Sequence, residues 1–185
     1  AVYTLGGNDW VLAQPHVGPY RYEINTGAGD DTIEFELPDN ADQSTGTYAR
    51  LLGGEGNDTY KVRTASDVLE TGSGARIPRN TIVINDRSST GSSRGSNSLV
   101  VGGGSGGSSS VAIPTLGFGS LKLTFDELDL AIHLENFDRN KVLEGPRDID
   151  FFDFGDGHVV TYEELVALGF DLAGSESDDV IDGSS

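Results

Sequence analysis

The sequence predicts a mainly β protein in which short strands stack in parallel. Three observations lead to this prediction. Glycine is abundant, with 26 of 185 residues, and it concentrates with aspartate in short loops. Alternating apolar residues follow these loops, with the period of a strand that buries one face. The loops recur along the chain, which is typical of proteins whose repeats share a continuous core.

The clearest loop is the nonapeptide at residues 53–61, which reads G-G-x-G-x-D-x-U-x, where U is a large apolar residue. Its glycines allow backbone angles that other residues resist, so the chain can curl and direct its carbonyl oxygens inward. Asp58 adds a carboxylate, and oxygens of both kinds are the ligands that Ca²⁺ prefers. Tyr60 is expected to point into a core between two short strands.

Further copies of this loop occur on both sides of it. Residues 26–34 match at every position except the first, residues 4–12 match the second half, and residues 174–182 form a fourth copy. Any single copy could be a plain acidic turn, because glycine and aspartate are common turn formers. Repetition with an apolar residue two places after each aspartate favours a calcium-binding repeat.

These copies resemble the calcium-binding nonapeptides of RTX (repeats-in-toxin) proteins, the hemolysin-type repeats. The resemblance implies a right-handed parallel β-roll with calcium loops on one edge, in which one Ca²⁺ is held between successive loops. Carried over to this chain, one site joins the loops of Asp9 and Asp31, and the next joins those of Asp31 and Asp58. The metal ligands and loop positions predicted in this way are Thr4, Gly6, Asp9, Thr26, Gly27, Ala28, Gly29, Asp31, Gly53, Gly54, Glu55, Gly56, Asp58 and Asp179.

Aligning the aspartate positions predicts a longer ladder, in which Asn80 and Asn97 follow Asp58. The site at Asn80 is expected to be lost, because its loop lacks the glycines. The opposite wall of the roll is expected from residues 20–24 and 48–52, with residues 68–69 as a candidate third strand. The apolar residues two and four places after each ladder position are expected to form one core wall: Val11, Ala13, Ile33, Phe35, Tyr60, Val62, Ile82, Ile84, Leu99 and Val101.

The second half of the chain changes in character. Residues 121–125 and 130–134 alternate, residues 155–157 carry a hairpin turn signal, and Thr161 caps a short helix over 162–168 that is followed by Gly169. This part resembles the domain found between RTX blocks and predicts a β-hairpin with a short helix that caps the roll. The expected regions are a roll over 1–115 with a Gly/Ser-rich loop at 88–110, a cap over 116–173, and the start of a further repeat block over 174–185.

Charge and composition narrow the class of partner. The net charge of −18 disfavours nucleic acid and anionic membranes and favours divalent cations. Cysteine is absent, so bound metal is the expected stabiliser, and no apolar run reaches transmembrane length. The RTX resemblance implies a module of a larger bacterial exoprotein, a toxin, adhesin or exoenzyme, secreted by a type I pathway. Its expected partners are Ca²⁺, neighbouring RTX blocks of the parent chain, and a host-surface or glycan ligand.

Other chemistries are less well supported by the sequence. Asp148, Asp150, Asp153 and Asp156 do not fit an EF-hand register and are expected to face solvent. The three histidines lack zinc spacing, and no nucleophile motif is present, so we expect the chain not to be an enzyme. The alternative function is a carbohydrate-binding accessory module of a glycan-processing enzyme, with a sugar platform formed by Trp10, Tyr20, Tyr22 and Tyr48.

Overall fold

The structure is a computed structural model that describes residues 1–16, 20–37, 46–64, 80–85, 95–102, 113–117, 120–125, 130–138, 140–155 and 157–169. These residues are mainly β, as predicted. The strands are β1 (Val2–Tyr3), β2 (Trp10–Ala13), β3 (Arg21–Ala28), β4 (Thr32–Leu37), β5 (Tyr48–Glu55), β6 (Thr59–Thr64), β7 (Asn80–Ile84), β8 (Ser98–Gly102), β9 (Ile113–Gly117), β10 (Ser120–Phe125), β11 (Leu130–Leu134), β12 (Phe151–Asp153) and β13 (Val159–Thr161), and helix α1 spans Tyr162–Ala167.

The described strands form two sheets. The first sheet has the order β1-β3-β5-β7-β11-β10-β9, and the second has the order β2-β4-β6-β8-β12-β13. The pairs from β1 to β11 in the first sheet and from β2 to β12 in the second are parallel. From β1 to β8 the chain alternates between the sheets, so each strand lies beside the strand two places earlier in sequence.

The core consists of the residues with period two that each sheet turns inward. Ile33, Phe35 and Leu37 of β4 are at most 1% exposed, and they belong to one buried cluster with residues of the first sheet. The rings of Tyr22 in β3 and Phe35 in β4 meet edge to face, with centroids 5.8 Å apart, so the two sheets pack against each other here. Burial of apolar surface at about 25 cal/mol per Å² is the main favourable contribution to this packing.

The position of Asn80 in the predicted ladder is wrong. Asn80 begins β7, which pairs with β5 in the first sheet, whereas β8 pairs directly with β6, with Ser98 opposite Thr59. Ile82 and Ile84 therefore enter the core from the first sheet, and not from the sheet that holds Ile33, Tyr60 and Leu99. Alternation after a polar residue is the same in both sheets, so the pattern could not assign the strand to a sheet. The predicted third strand at residues 68–69 lies outside the described residues.

The predicted cap is more closely integrated with the sheets than expected. The buried faces of β10 and β11 and the antiparallel hairpin β12–β13 are as predicted, and β10 and β11 are also antiparallel to each other. However, β11 pairs in parallel with β7, and β12 pairs in parallel with β8, so this segment extends both sheets. An alternating strand carries no signal for the direction of its pairing, which is why the sequence did not reveal this. Residues 95–102 of the predicted Gly/Ser-rich loop include β8, and the repeat block at 174–185 lies outside the described residues.

The start of α1 has the predicted capping box. The Thr161 hydroxyl accepts the Glu164 amide at 3.2 Å, and Glu164 Oε2 accepts the Thr161 amide at 2.9 Å. We expect Thr161→Ala to lower the free energy of unfolding by about 1 kcal/mol, measured by urea denaturation. Glu164→Gln should cost less, because glutamine also completes a capping box. A Thr161→Ala protein as stable as the native chain would contradict this role.

Candidate metal centre

The glycine loops bring successive turns of the chain into close backbone contact. They lie where β3 leads to β4 and where β5 leads to β6. Gly54 has φ of 108°, and a Cβ built on it would lie 1.9 Å from the carbonyl oxygen of Gly27. A Cβ on Gly56 would lie 2.2 Å from the carbonyl oxygen of Gly29. Only glycine fits both the backbone angle and the approach, so each loop places the α-carbon of a glycine directly against a carbonyl oxygen of the preceding loop.

The aspartates of these loops form a column along the same edge. The amide of Asp9 donates to Oδ1 of Asp31 at 2.8 Å, and the amide of Asp31 donates to Oδ1 of Asp58 at 3.0 Å. Asp31 and Asp58 are only 1% and 2% exposed. The structure therefore brings three carboxylates with a formal negative charge into one buried or half-buried row.

The second oxygens of two of these carboxylates are not satisfied within the described part of the chain. Oδ2 of Asp9 and Oδ2 of Asp31 are buried, and neither accepts a hydrogen bond from a described residue. Burying a charged oxygen without a partner costs several kcal/mol. Each of these oxygens therefore requires a cation or a hydrogen-bond donor beside it.

The column continues through two residues beyond Asp58. Asn97 Oδ1 accepts the Asp58 amide at 2.8 Å, and the Asn97 amide donates to Oδ2 of Asp150 at 3.0 Å. We call Asp9, Asp31, Asp58, Asn97 and Asp150 the aspartate column.

The prediction that Asp148 and Asp150 face solvent is wrong, since they are 0% and 9% exposed. Asp150 has an apolar residue, Phe152, two places later, as Asp31 and Asp58 do. This was the signal that could have identified it, but the missing glycines concealed it.

A second row of hydrogen bonds runs beside the aspartate column and was not predicted. Asn8 Oδ1 accepts the Asp30 amide at 3.0 Å, and Asp30 Oδ1 accepts the Asn57 amide at 2.9 Å. Asn57 Oδ1 in turn accepts the Ser96 amide at 2.8 Å. This outer row is exposed and its donors point along the chain in the opposite sense. Asp30 thus carries the same charge as Asp31 but ties the loops together from the outside.

Several predicted carbonyl ligands already accept a hydrogen bond across the loops. The hydroxyl of Thr4 donates to the carbonyl of Thr26 at 2.6 Å, and the amide of Gly7 donates to that of Ala28 at 2.7 Å. The amide of Gly29 donates to the carbonyl of Glu55 at 2.7 Å. A carbonyl oxygen has two lone pairs, so these contacts leave capacity for a metal ion.

The predicted site residues at 4–58 lie on one edge of the two sheets, whereas Asp179 lies outside the described residues. Within the described ranges, no three His, Cys, Asp or Glu side chains converge on a point. The carboxylates of successive loops are neighbours in the aspartate column, so any further ligands to an ion held between two loops would be backbone carbonyls. This set of hard oxygens suits Ca²⁺.

The aromatic residues of the alternative sugar platform do not share a surface. Trp10 lies in β2 of the second sheet and is 62% exposed, whereas Tyr20 precedes β3 of the first sheet and is 55% exposed. Tyr22 packs on the core residue Phe35, and Tyr48 carries the guanidinium of Arg21 at 5.1 Å from its ring centroid. A flat site for a sugar ring is therefore not assembled from these four residues.

Comparison with known proteins adds no relative. No family model, curated protein or solved structure matches the chain. Across the described ranges, none of the helical residues forms a segment long and apolar enough to cross a bilayer. The geometry of the aspartate column is therefore the main guide to function.

Proposed function

We propose that the chain is a calcium-binding module of the RTX type, a right-handed parallel β-roll that completes its fold when Ca²⁺ occupies the edge bearing the glycine loops. The observation that carries this proposal is the pair of buried carboxylate oxygens, one of Asp9 and one of Asp31, that accept no hydrogen bond from any described residue. They lie in a row with Asp58, beside stacked loops whose backbone supplies carbonyl oxygens. Oxygens of these two kinds are the usual calcium ligands.

One ion would lie between the loops of Asp9 and Asp31, and a second between those of Asp31 and Asp58. Asp31 then serves both ions. The glycines at 27, 29, 54 and 56 allow the loops to approach closely, so that an ion can reach two loops at once. A bound ion supplies the positive charge that the buried carboxylates lack and lowers their mutual repulsion.

Metal binding would be coupled to folding in this module. The chain has a net charge of −18, which opposes compaction when divalent cations are scarce. Where Ca²⁺ is abundant, its binding free energy adds to the free energy of folding. A chain of this kind would remain unfolded at cytosolic calcium and fold after secretion, as a structural part of a larger exoprotein with no enzymatic activity of its own.

A carbohydrate-binding role is the second hypothesis. It rests only on the exposure of Trp10 and Tyr20, and it is weakened because these two residues belong to different sheets. A glycan array probed with the calcium-loaded protein would test it, and reproducible binding that disappears in Trp10→Ala would favour it over a purely structural role.

The proposal can be tested with two adjacent aspartates that carry the same charge. Asp31→Asn should remove most of the increase in melting temperature that Ca²⁺ produces, because it removes the carboxylate that both ions share. The asparagine oxygen can still accept the Asp9 amide, so the column itself is preserved. Asn97 already shows that an amide can serve in the column. Asp30→Asn is the matched control, since its oxygen can still accept the Asn57 amide, and it should retain the calcium effect. Equal responses of the two variants would contradict the proposed site.

A further inference from the structure

The last member of the aspartate column is neutralised by a cation of the protein itself. Asp150 uses Oδ2 to accept the Asn97 amide, as Asp31 and Asp58 accept the amides of their neighbours. Its other oxygen, Oδ1, accepts a hydrogen bond from Nε of Arg147 at 2.9 Å. In Asp9 and Asp31 the corresponding oxygen is buried without a described hydrogen-bond donor. Arg147 thus fills at Asp150 the place that is unfilled at those two positions.

The loop before Asp150 is not built to hold an ion. Arg147 and Pro146 stand three and four places before Asp150, where Glu55 and Gly54 stand before Asp58. Proline fixes φ at about −65°, whereas Gly54 has φ of 108°. This loop therefore cannot follow the backbone path that stacks the carbonyl groups of the glycine loops.

Asp148, two places before Asp150, stands where Gly56 stands before Asp58, and its carboxylate is turned away from the column. Asp148 Oδ2 accepts the backbone amide of Asn136 at 2.8 Å, and Oδ1 accepts the Asn136 side-chain amide at 2.5 Å. Both oxygens of this buried carboxylate are thereby satisfied by the protein. Asp148 therefore holds Asn136 in place and is not a candidate metal ligand.

Arg147 is held in place by the helix that follows. Its Nη1 donates to Oε1 of Glu163 at 2.5 Å, and its guanidinium lies 4.9 Å from the ring centroid of Tyr162. Tyr162 is buried, and this burial raises its pKa to about 12, so the ring stays neutral beneath the cation. Helix α1 therefore fixes a positive charge at the end of the aspartate column.

Between the two kinds of aspartate lies a neutral member. Asn97 is fully buried, and its side-chain amide donates to the carbonyl of Asp148 at 2.9 Å. The column thus divides into two segments that differ in formal charge. Three carboxylates stand at one end, and an amide followed by an arginine-paired carboxylate stands at the other.

We propose that Arg147 takes the place of a metal ion at the last position of the column. The part of the column from Asn97 to Asp150 is then independent of calcium, and the part from Asp9 to Asp58 depends on it. The calcium dependence of that first part rests on the proposed function, whereas the role of Arg147 does not.

A charge-swap series in the full chain tests the role of Arg147. In saturating Ca²⁺, Arg147→Gln should lower the melting temperature by about 5–10 °C, because it leaves the buried Asp150 carboxylate without its cation. The double variant Arg147→Gln, Asp150→Asn should recover at least half of this loss, since an amide then replaces the carboxylate as at Asn97. Glu163→Gln, which removes the other and exposed acceptor of Arg147, should stay close to the native value. An unchanged melting temperature in Arg147→Gln, or no recovery in the double variant, overturns the inference.

Hydrogen exchange in chelator tests the division of the column. We expect the amides of residues 95–102 and 148–153 to stay protected, while those of residues 26–33 and 53–60 lose protection. Loss of protection in all four segments overturns the calcium independence of the second part. Protection of all four contradicts the proposed calcium function and overturns the division, and the charge-swap series then decides the role of Arg147 separately. If the single variant Arg147→Gln does not fold, the comparison uses Asp150→Asn instead. This variant should have a lower melting temperature than the native chain, and adding Arg147→Gln to it should raise the melting temperature again.

Discussion

Gly54→Ala is expected to destabilise the calcium-loaded protein by about 3 kcal/mol or more, among the larger effects of a single substitution. Two independent costs add at this position. The φ of 108° is a conformation that residues with a side chain rarely adopt, and the new Cβ would lie 1.9 Å from the carbonyl oxygen of Gly27. The neighbouring loops would have to separate, and the proposed ion site between them would change. Urea denaturation in saturating Ca²⁺ measures the loss.

Two other glycines separate these costs. Gly7 has φ of 103°, but apart from its chain neighbours no atom of the described residues lies within 4 Å of a Cβ built on it, so Gly7→Ala should show only the cost of backbone strain. Gly102 has neither a positive φ nor a neighbour within that distance in the described part of the chain, so Gly102→Ala should be tolerated. The expected order of destabilisation is Gly54, then Gly7, then Gly102. If Gly54→Ala were as stable as Gly102→Ala, the close stacking of the loops would be refuted.

Withdrawal of calcium is expected to have an effect of similar or larger size. A ligand at one hundred times its dissociation constant stabilises the folded state by about 2.7 kcal/mol per site. Two ions in the aspartate column would then contribute about 5 kcal/mol, comparable to the whole stability of many domains.

Far-UV circular dichroism and thermal melting, with Ca²⁺ and with chelator, measure this effect. Mg²⁺ at the same concentration is the control and should substitute poorly, because it demands a smaller, octahedral shell and keeps its waters. Equal melting temperatures in Ca²⁺ and in chelator would count against the coupling of calcium to folding.

The sequence was most informative where local chemistry and repetition agreed. The glycine positions, the aspartates at 9, 31 and 58, and the apolar residues two and four places after each of them predicted parallel pairing of β2, β4 and β6. The capping box of Thr161 was likewise readable, because it depends on residues only three positions apart. These features are set by backbone angle, side-chain period and short-range hydrogen bonds.

The sequence was least informative where the choice depended on distant partners. β7 carries the same alternation as a strand of the second sheet, yet it lies in the first. Asp150 belongs to the aspartate column through a hydrogen bond to Asn97, 53 residues away. Its loop carries Pro146 and Arg147 in place of the glycine pattern, so the repeat was not visible. A search for the repeat finds the loops that have the glycine pattern, and it misses the loop in which Pro146 and Arg147 replace the glycines.

The central claim is that a hard cation binds beside Asp9 and Asp31, and the tryptophan of the chain reports on this place. Trp10 is the only tryptophan and directly follows Asp9, so terbium bound there in place of calcium should emit when tryptophan is selectively excited. We expect this sensitised emission to saturate, to be displaced by Ca²⁺, to persist in Asp30→Asn and to be lost in Asp31→Asn. The absence of sensitised emission in the native chain, or emission that Ca²⁺ cannot displace, would contradict calcium binding at the aspartate column.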